Sequence, residues 1–190
     1  VMQPQTGYIK AYVGGPDYRY FMYDMVSAGK RQVGSTIKPI LYTLAMQEGL
    51  GPCDKVPNIP QTFILPTGEP WSARGGTKRQ GEMVTLRWGL ANSENNISAW
   101  VLKQFTPEAV AQMAHKMDPV PSVFLGTAEI TVKEMVAAYS IFANKGVYNS
   151  PLPVYRIEDK YGNVLQEFRP ESREVITENT AYLMCNLLEG

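Results

Sequence analysis

The chain has 190 residues, of which 44% are hydrophobic and 19% are charged, and its formal net charge is zero. This composition is typical of one globular domain with a sizeable core, and it excludes a disordered chain. The lack of net positive charge argues against a nucleic-acid ligand, and no apolar run approaches the roughly 20 residues that span a bilayer. Because the chain opens at Val1 close to a predicted strand, without a signal peptide, we expect a fragment of a larger protein.

Metal-dependent and histidine-dependent chemistry are not expected. The two cysteines, Cys53 and Cys185, are too few for a disulfide framework or a zinc site, and they could either pair or remain free thiols. The single histidine, His115, falls on a predicted helix without neighbouring ligand residues, which argues against a Ser-His-Asp triad. The sequence therefore indicates a site that works without a cofactor.

The first predicted elements are a strand, a loop and a helix. The β-rich run over 8–13 is bounded by glycines and predicts a strand, whereas 17–33 has no clean period and predicts a loop. From Ser35 onward, apolar residues recur at helical spacing. Pro39 is tolerated only in the first turn of a helix, so this helix should begin near Ser35 and end at a glycine within 49–51.

The rest of the chain is predicted to be mainly helical, after an irregular segment over 52–82 that is rich in proline, glycine and threonine. Threonine caps mark several helix starts, and β-rich runs on either side of a turn mark a hairpin. The predicted elements are a strand at 62–65, helices over 86–92, 97–105, 107–117 and 132–146, a turn over 118–122, a hairpin of 154–157 with 164–168, and a last helix capped by Thr177.

Ser35 and Lys38 form an S-x-x-K pair at the start of the first helix, and this motif is known from acyl-serine enzymes. Residues three apart share one helix face, so the hydroxyl and the amine can meet. A free serine hydroxyl is a weak nucleophile, and a neutral amine beside it can activate it. Ser27 and Lys30 form the same pattern, but Gly29 falls inside it and no amphipathic run follows. The sequence therefore favours Ser35 as a nucleophile.

Ser93 and Asn95 supply a second polar pair, between two predicted helices. A second hydroxyl could carry a proton between Lys38 and a leaving amine, and the Asn95 amide could hold both the lysine and a substrate amide. The alternative is that both residues only cap the following helix, a position that serine and asparagine favour. Spacing alone does not separate the two interpretations.

Several segments, in order along residues 7–190, resemble the transpeptidase domain of the class A, or bifunctional, penicillin-binding proteins. The resemblance is strongest around the nucleophile motif, in the helix that leads into S-x-N, and in three later segments. The segments are RQVGSTIKP (31–39), TLRWGLANSEN (85–95), LGTAEIT (125–131), AYSIFANKG (138–146) and IEDKYG (157–162).

The resemblance implies an α/β domain of the α+β type over residues 1–190, with the penicillin-binding and serine β-lactamase-like fold, in which helices flank an antiparallel sheet. It also implies a peptidoglycan D,D-transpeptidase. Ser35 would attack the penultimate D-alanine of a stem peptide, form an acyl-enzyme and pass the acyl group to an amine of a neighbouring strand. Lys38 would be the general base, Ser93 would relay a proton to the leaving amine, and Asn95 would orient Lys38 and the substrate. β-Lactams would acylate the same serine.

The third motif of that family, K-[TS]-G, is absent from the chain. Because the match continues to Gly190 and then stops, we expect a transpeptidase domain that is truncated before this motif and is inactive by itself. The resemblance further implies a parent chain with a glycosyltransferase domain and a membrane anchor. The parent chain would lie on the extracytoplasmic, periplasmic side of the bacterial inner membrane.

Other functions are compatible with the same residues. The fold could serve as a non-catalytic β-lactam sensor or interaction module, or as a D,D-carboxypeptidase or β-lactamase relative. Turnover of a stem peptide or of a β-lactam would separate these possibilities. An α/β domain with accidental motifs would instead show ordinary titration of Lys38.

Overall fold

The structure is a computed structural model that describes residues 1–64, 67–73, 78–117 and 129–190. The described part contains helices and short strands. The helices are α1 (Lys38–Gln47), α2 (Leu86–Ala91), α3 (Asn95–Lys103), α4 (Pro107–Met117), α5 (Val132–Ala143) and α6 (Glu178–Leu188), with a 3-10 turn, Gly34–Ile37, directly before α1. The strands are β1 (Lys30–Gln32), β2 (Lys55–Pro57), β3 (Thr62–Ile64), β4 (Pro70–Ser72), β5 (Met83–Thr85), β6 (Glu129–Thr131), β7 (Val147–Asn149), β8 (Arg156–Glu158), β9 (Val164–Glu167) and β10 (Ser172–Glu174).

The strands of the described residues form five two-stranded antiparallel sheets: β1 with β6, β2 with β5, β3 with β4, β7 with β10 and β8 with β9. The predicted α+β class is confirmed. The predicted hairpin is present as β8 and β9, and the strand predicted at 62–65 is present as β3, although its last predicted residue lies outside the described residues. The turn predicted over 118–122 and residues 125–128 of the LGTAEIT segment lie outside them as well.

The prediction of a strand over 8–13 is wrong for most of these residues. Tyr8 and Ile9 form only isolated bridges, to Leu152 and Met2. The amides of the next two residues, 10 and 11, both donate to the single carbonyl of Val1, at 2.9 and 3.4 Å. A strand needs a regular ladder of partners, and two amides that share one acceptor cannot continue it.

The loop predicted over 17–33 contains a strand, β1, that the sequence did not reveal. Its three residues are all exposed, so they carry no alternation of apolar and polar side chains. The strand exists because it pairs with β6, in a register that sets Arg31 opposite Ile130. A partner so distant in sequence leaves no local signal.

One compact unit comprises Gly34–Ala114 and Tyr182–Gly190. Within it, α1 contacts α3, and α3 also contacts α2 and β2. Nine of the ten residues of α1 are buried, so α1 is a core helix rather than a surface helix. Fully buried large side chains join these elements, and burial of each apolar one contributes about 1.5–3 kcal/mol. They include Tyr42, Leu86, Ile97 and Val101.

The other compact unit comprises Val1–Val33 and His115–Ala181. Its helix α5 contacts β6 and β7. The predicted capping box is confirmed: Thr131 Oγ1 accepts from the Glu134 amide at 3.2 Å, and Glu134 Oε2 accepts from the Thr131 amide at 2.7 Å. The helix ends at Ala143, three positions before the predicted end at Gly146.

We expect Gly146→Ala to destabilise the chain by about 2–4 kcal/mol. Gly146 has φ of 90°, a conformation that alanine rarely adopts, and an added Cβ would collide with the carbonyl oxygen of Ile176. Gly49→Ala is the matched control, because Gly49 has φ of 97° but open space around an added Cβ. Urea unfolding should show a cost of only about 1–2 kcal/mol for the control. Equal costs for the two variants would contradict the role of the collision.

Candidate active site

Lys38 is the first residue of α1, and Ser35 lies in the 3-10 turn before it. Pro39 occupies the first turn of α1 as predicted, but α1 begins three residues after the predicted start at Ser35, because residues 34–37 form the 3-10 turn. Residues three apart on such a turn lie on the same side of the backbone. The Ser35 residue is exposed, whereas Lys38 is only 7% exposed. The accessible Ser35 hydroxyl and the buried Lys38 amine are therefore only three residues apart in the sequence.

Ser93 lies in the tight turn between α2 and α3, and Asn95 opens α3. The φ of Ser93 is 51°, in the left-handed region that non-glycine residues seldom occupy. The next amide, of Glu94, donates to Gly89 O at 2.8 Å and holds the turn closed. A Cβ on Gly89 would lie 2.6 Å from Ile97 Cγ2, so only glycine allows the two helices to meet this closely. The strained turn fixes the direction of both Ser93 oxygens.

The structure brings Lys38, Ser93 and Asn95 together. Lys38 Nζ donates to the Ser93 carbonyl at 2.6 Å, to Ser93 Oγ at 3.0 Å and to Asn95 Oδ1 at 2.7 Å. These three bonds use every hydrogen of a lysine ammonium. Within the described residues, no hydrogen bond joins Lys38 to Ser35.

The three acceptors of Lys38 are not equivalent. The Ser93 carbonyl and Asn95 Oδ1 can only accept, whereas the Ser93 hydroxyl can also donate. A neutral lysine would therefore keep its bonds to the two carbonyl oxygens, and its lone pair would be open to a proton from a neighbouring hydroxyl. The arrangement can hold Lys38 in either protonation state without moving it.

The alternative in which Ser93 and Asn95 only cap the next helix is wrong. The N-cap residue of α3 is Glu94, and the side chain of Glu94 makes no capping hydrogen bond. Ser93 and Asn95 instead direct their oxygens at Lys38. Hydrogen bonding to Lys38 is favoured over capping of α3, because a buried ammonium without partners costs more free energy than a helix N-terminus without a side-chain cap.

Two opposing effects act on Lys38. Burial lowers the pKa of its ammonium, and the negative charge of Glu94 raises that pKa. Burial thus acts in the direction that a general base near neutral pH requires, and the charge that opposes it within the described residues is a carboxylate. Sequence reasoning missed Glu94, although a charged residue between the two polar residues of S-x-N was a visible signal.

The second S-x-x-K pair has a different environment. Ser27 Oγ donates to Asp24 Oδ2, and Tyr12 Oη lies 2.6 Å from the Ser27 hydroxyl. Hydrogen bonds from Ser27, Tyr12 and the Val26 amide lower the pKa of Asp24 to about 2, so its carboxylate holds them above that pH. Ser27 thus serves a turn, and Lys30 lies exposed in β1.

Metal-ligand clusters and disulfides do not define another site in the described part of the chain. No group of three or more His, Cys, Asp or Glu residues there could hold a metal ion. Cys53 and Cys185 do not form a disulfide with each other, and His115 lies in α4. Among the described helices, none has the length and apolarity of a membrane span.

Residues 1–118 match the protein family described as the penicillin binding protein transpeptidase domain. The chain is 34% identical to penicillin-binding protein 1A of Aquifex aeolicus over 98% of its length and 26% of that protein. It is 32% identical to penicillin-binding protein 2D of Bacillus subtilis over 100% of its length and 28% of that protein. The chain thus spans about a quarter of the length of these curated relatives.

Solved structures share the fold. Penicillin-binding protein 1A from Haemophilus influenzae aligns with a TM-score of 0.87 at 23% identity, over 98% of this chain and 34% of that one. The PonA1 protein from Mycobacterium tuberculosis, in complex with penicillin V, aligns with a TM-score of 0.76 at 22% identity, over 95% of this chain and 51% of that one. These similarities establish the fold, and the family match adds the sequence relationship. The chain belongs to the transpeptidase domain family of the class A penicillin-binding proteins.

Proposed function

We propose that the chain supplies the nucleophile and the general base of a serine-type peptidoglycan D,D-transpeptidase. One observation carries the proposal: the buried amine of Lys38 is held by Ser93 and Asn95, three residues from the exposed Ser35. An amine that is buried and fixed in this way is suited to take a proton from a nearby hydroxyl. Family membership makes acyl transfer the expected chemistry.

In the proposed acylation, Ser35 Oγ attacks the carbonyl carbon of the penultimate D-alanine in a stem peptide. Its proton passes to the neutral amine of Lys38. The peptide bond then breaks, and the terminal D-alanine leaves as an amine after it receives a proton through Ser93. An ester between Ser35 and the stem peptide remains, and Asn95 orients Lys38 and the peptide amide.

In the second half-reaction, the amine of a neighbouring peptidoglycan strand attacks the ester carbonyl. The new peptide bond forms as the attacking amine gives up a proton to Lys38. The bond to Ser35 Oγ then breaks, and Lys38 passes this proton to the serine oxygen. A β-lactam would acylate Ser35 by the same attack, with opening of its four-membered ring. The buried environment supports this scheme, because burial lowers the pKa of Lys38 and so increases the fraction of neutral amine.

We further propose that residues 1–190 are the partial transpeptidase domain of a longer parent chain. The parent would supply the K-[TS]-G motif, a glycosyltransferase domain and a membrane anchor, and would act on the periplasmic face of the inner membrane. The relatives support this proposal, since the chain covers only 26% of the Aquifex aeolicus protein and 28% of the Bacillus subtilis protein.

The proposal is tested on a protein that includes the sequence after Gly190. After treatment with a fluorescent penicillin, mass spectrometry of its peptides should locate one adduct, on the peptide that contains Ser35. With a pentapeptide stem and an amine acceptor, we expect release of D-alanine and formation of a cross-linked product.

The other outcomes separate the alternative functions. An adduct without any turnover of the stem peptide would indicate a β-lactam sensor. Release of D-alanine without cross-linking would indicate a carboxypeptidase, and rapid hydrolysis of the penicillin adduct would indicate a β-lactamase. The absence of an adduct would contradict acyl-serine chemistry altogether.

A further inference from the structure

We propose that Glu94 is a positioning residue that sets the charge on Lys38 and thereby the pH range in which Ser35 can be acylated. The inference rests on the proposed function, in which Lys38 is the base. It concerns a residue that lies within the S-x-N turn but has no part in the reaction scheme above.

The position of Glu94 is fixed by its backbone. Its amide donates to Gly89 O at 2.8 Å, and its carbonyl accepts from the amide of Ser98 at 3.2 Å and from Ser98 Oγ at 3.0 Å. The two residues beside it, Ser93 and Asn95, both bind Lys38 Nζ. Glu94 is therefore anchored within the same turn that holds the lysine.

The side chain of Glu94 is buried without full compensation. The residue is only 4% exposed, and within the described residues its Oε1 is buried and has no hydrogen-bond partner. A buried carboxylate without hydrogen bonds is costly unless an opposite charge is near. The charge of Glu94 acts on Lys38, so the ammonium form of the lysine offsets part of this cost.

The other ionisable groups on α1, α2 and β2, the elements around this turn, do not replace the interaction between Glu94 and Lys38. On α1, the hydroxyl of Tyr42 is fully buried, and burial, with a smaller contribution from Glu94, raises its pKa, so it stays neutral. On α2, Arg87 donates to Asn186, while its buried Nε has no partner among the described residues. On β2, Lys55 is exposed.

The two effects on the pKa of Lys38 have opposite signs. Burial favours neutral Lys38, and the Glu94 carboxylate favours charged Lys38. Removal of the carboxylate leaves burial unopposed, so the pKa of Lys38 falls and the neutral amine exists at lower pH. In a plot of acylation rate against pH, the acid limb is the region in which the rate rises as Lys38 loses its proton, and this limb should move to lower pH. If Glu94 had a purely structural role, its removal would only reduce the rate.

The test measures the rate of acylation by a fluorescent penicillin as a function of pH, in the protein that includes the sequence after Gly190. For Glu94→Gln we expect the acid limb to shift down by about 0.5–1 pH unit, which makes the variant about 3–10-fold faster than wild type below the midpoint. Glu94→Met should shift the limb equally, and its apolar side chain tolerates burial if glutamine weakens the fold. Glu94→Asp keeps the charge and should keep the limb close to that of wild type.

Glu48→Gln is the matched control, because it removes one carboxylate from the exposed residue that follows α1. It should leave the acid limb in place. An unshifted limb in folded Glu94→Gln and Glu94→Met, or an equal shift in Glu48→Gln, would overturn the inference. A ¹³C NMR titration of the Lys38 side chain, assigned with Lys38→Arg, gives a readout that does not need activity. If wild type is never acylated, the proposed function fails, whereas a lower Lys38 pKa in Glu94→Gln would still support the effect of Glu94 on the charge of Lys38.

Discussion

Replacement of Ser35 by alanine should abolish covalent labelling by fluorescent penicillin and leave the fold intact. The residue is exposed in a 3-10 turn, so loss of its hydroxyl should change the free energy of unfolding by no more than about 0.5 kcal/mol. The same hydroxyl is the only atom that the proposed mechanism joins to the acyl group. The measurement is in-gel fluorescence after denaturation, with urea unfolding to verify the fold.

Ser27→Ala provides the matched control, since Ser27 belongs to the second S-x-x-K pair of the chain. Its hydroxyl donates to Asp24 and serves a turn, so this variant should label as fast as wild type. Fluorescence that persists in Ser35→Ala, or that disappears in Ser27→Ala, would show that Ser35 is not the nucleophile and would contradict the proposed mechanism.

Lys38→Met should lower the acylation rate by about 10²–10⁴-fold, the usual contribution of a general base. Methionine has a similar length and fits a buried position, but it cannot take the proton of Ser35 Oγ. Loss of the lysine also leaves Ser93 Oγ and Asn95 Oδ1 without their present donor. The rate should be measured at several pH values, because the acid limb that reports Lys38 should disappear with it.

Lys30→Met is the corresponding control. Lys30 starts β1, and its residue is exposed, so we expect an acylation rate within about twofold of wild type, as for most surface substitutions. A folded Lys38→Met variant that is acylated at the wild-type rate would show that another group takes the proton. Loss of the acid limb together with the rate would support the assignment of Lys38.

Much of this chain's local structure can be read from short sequence patterns. Pro39 locates the start of α1, because proline fits only where the amide has no intrahelical partner. Thr85 accepts a hydrogen bond from the Trp88 amide at 3.1 Å and starts α2 as predicted, and Thr131 starts α5 with a capping box. Such caps join residues three apart, so the sequence contains all the information that they need.

The candidate site was predictable as a set of residues but not as a geometry. The motifs S-x-x-K and S-x-N identified Ser35, Lys38, Ser93 and Asn95, and the structure brings the last three together. The spacing could not tell whether the serine and the asparagine cap a helix or hold a lysine. That choice depends on α1 packing against α3, which is a contact between distant parts of the sequence.

Sequence alone therefore predicted the presence of the described helices, the late hairpin, the family and the residues of the candidate site, since each depends on local hydrogen bonding or on a contiguous motif. Helix ends were less well predicted: the helix predicted over 97–105 is observed as α3, Asn95–Lys103. Only the tertiary structure decided the pairing of β1 with β6, the left-handed turn at Ser93 and the burial of Glu94 beside the lysine that it influences. The physical reason is the same in each case. Strand pairing, backbone strain and the cost of a buried charge depend on atoms that come from elsewhere in the chain.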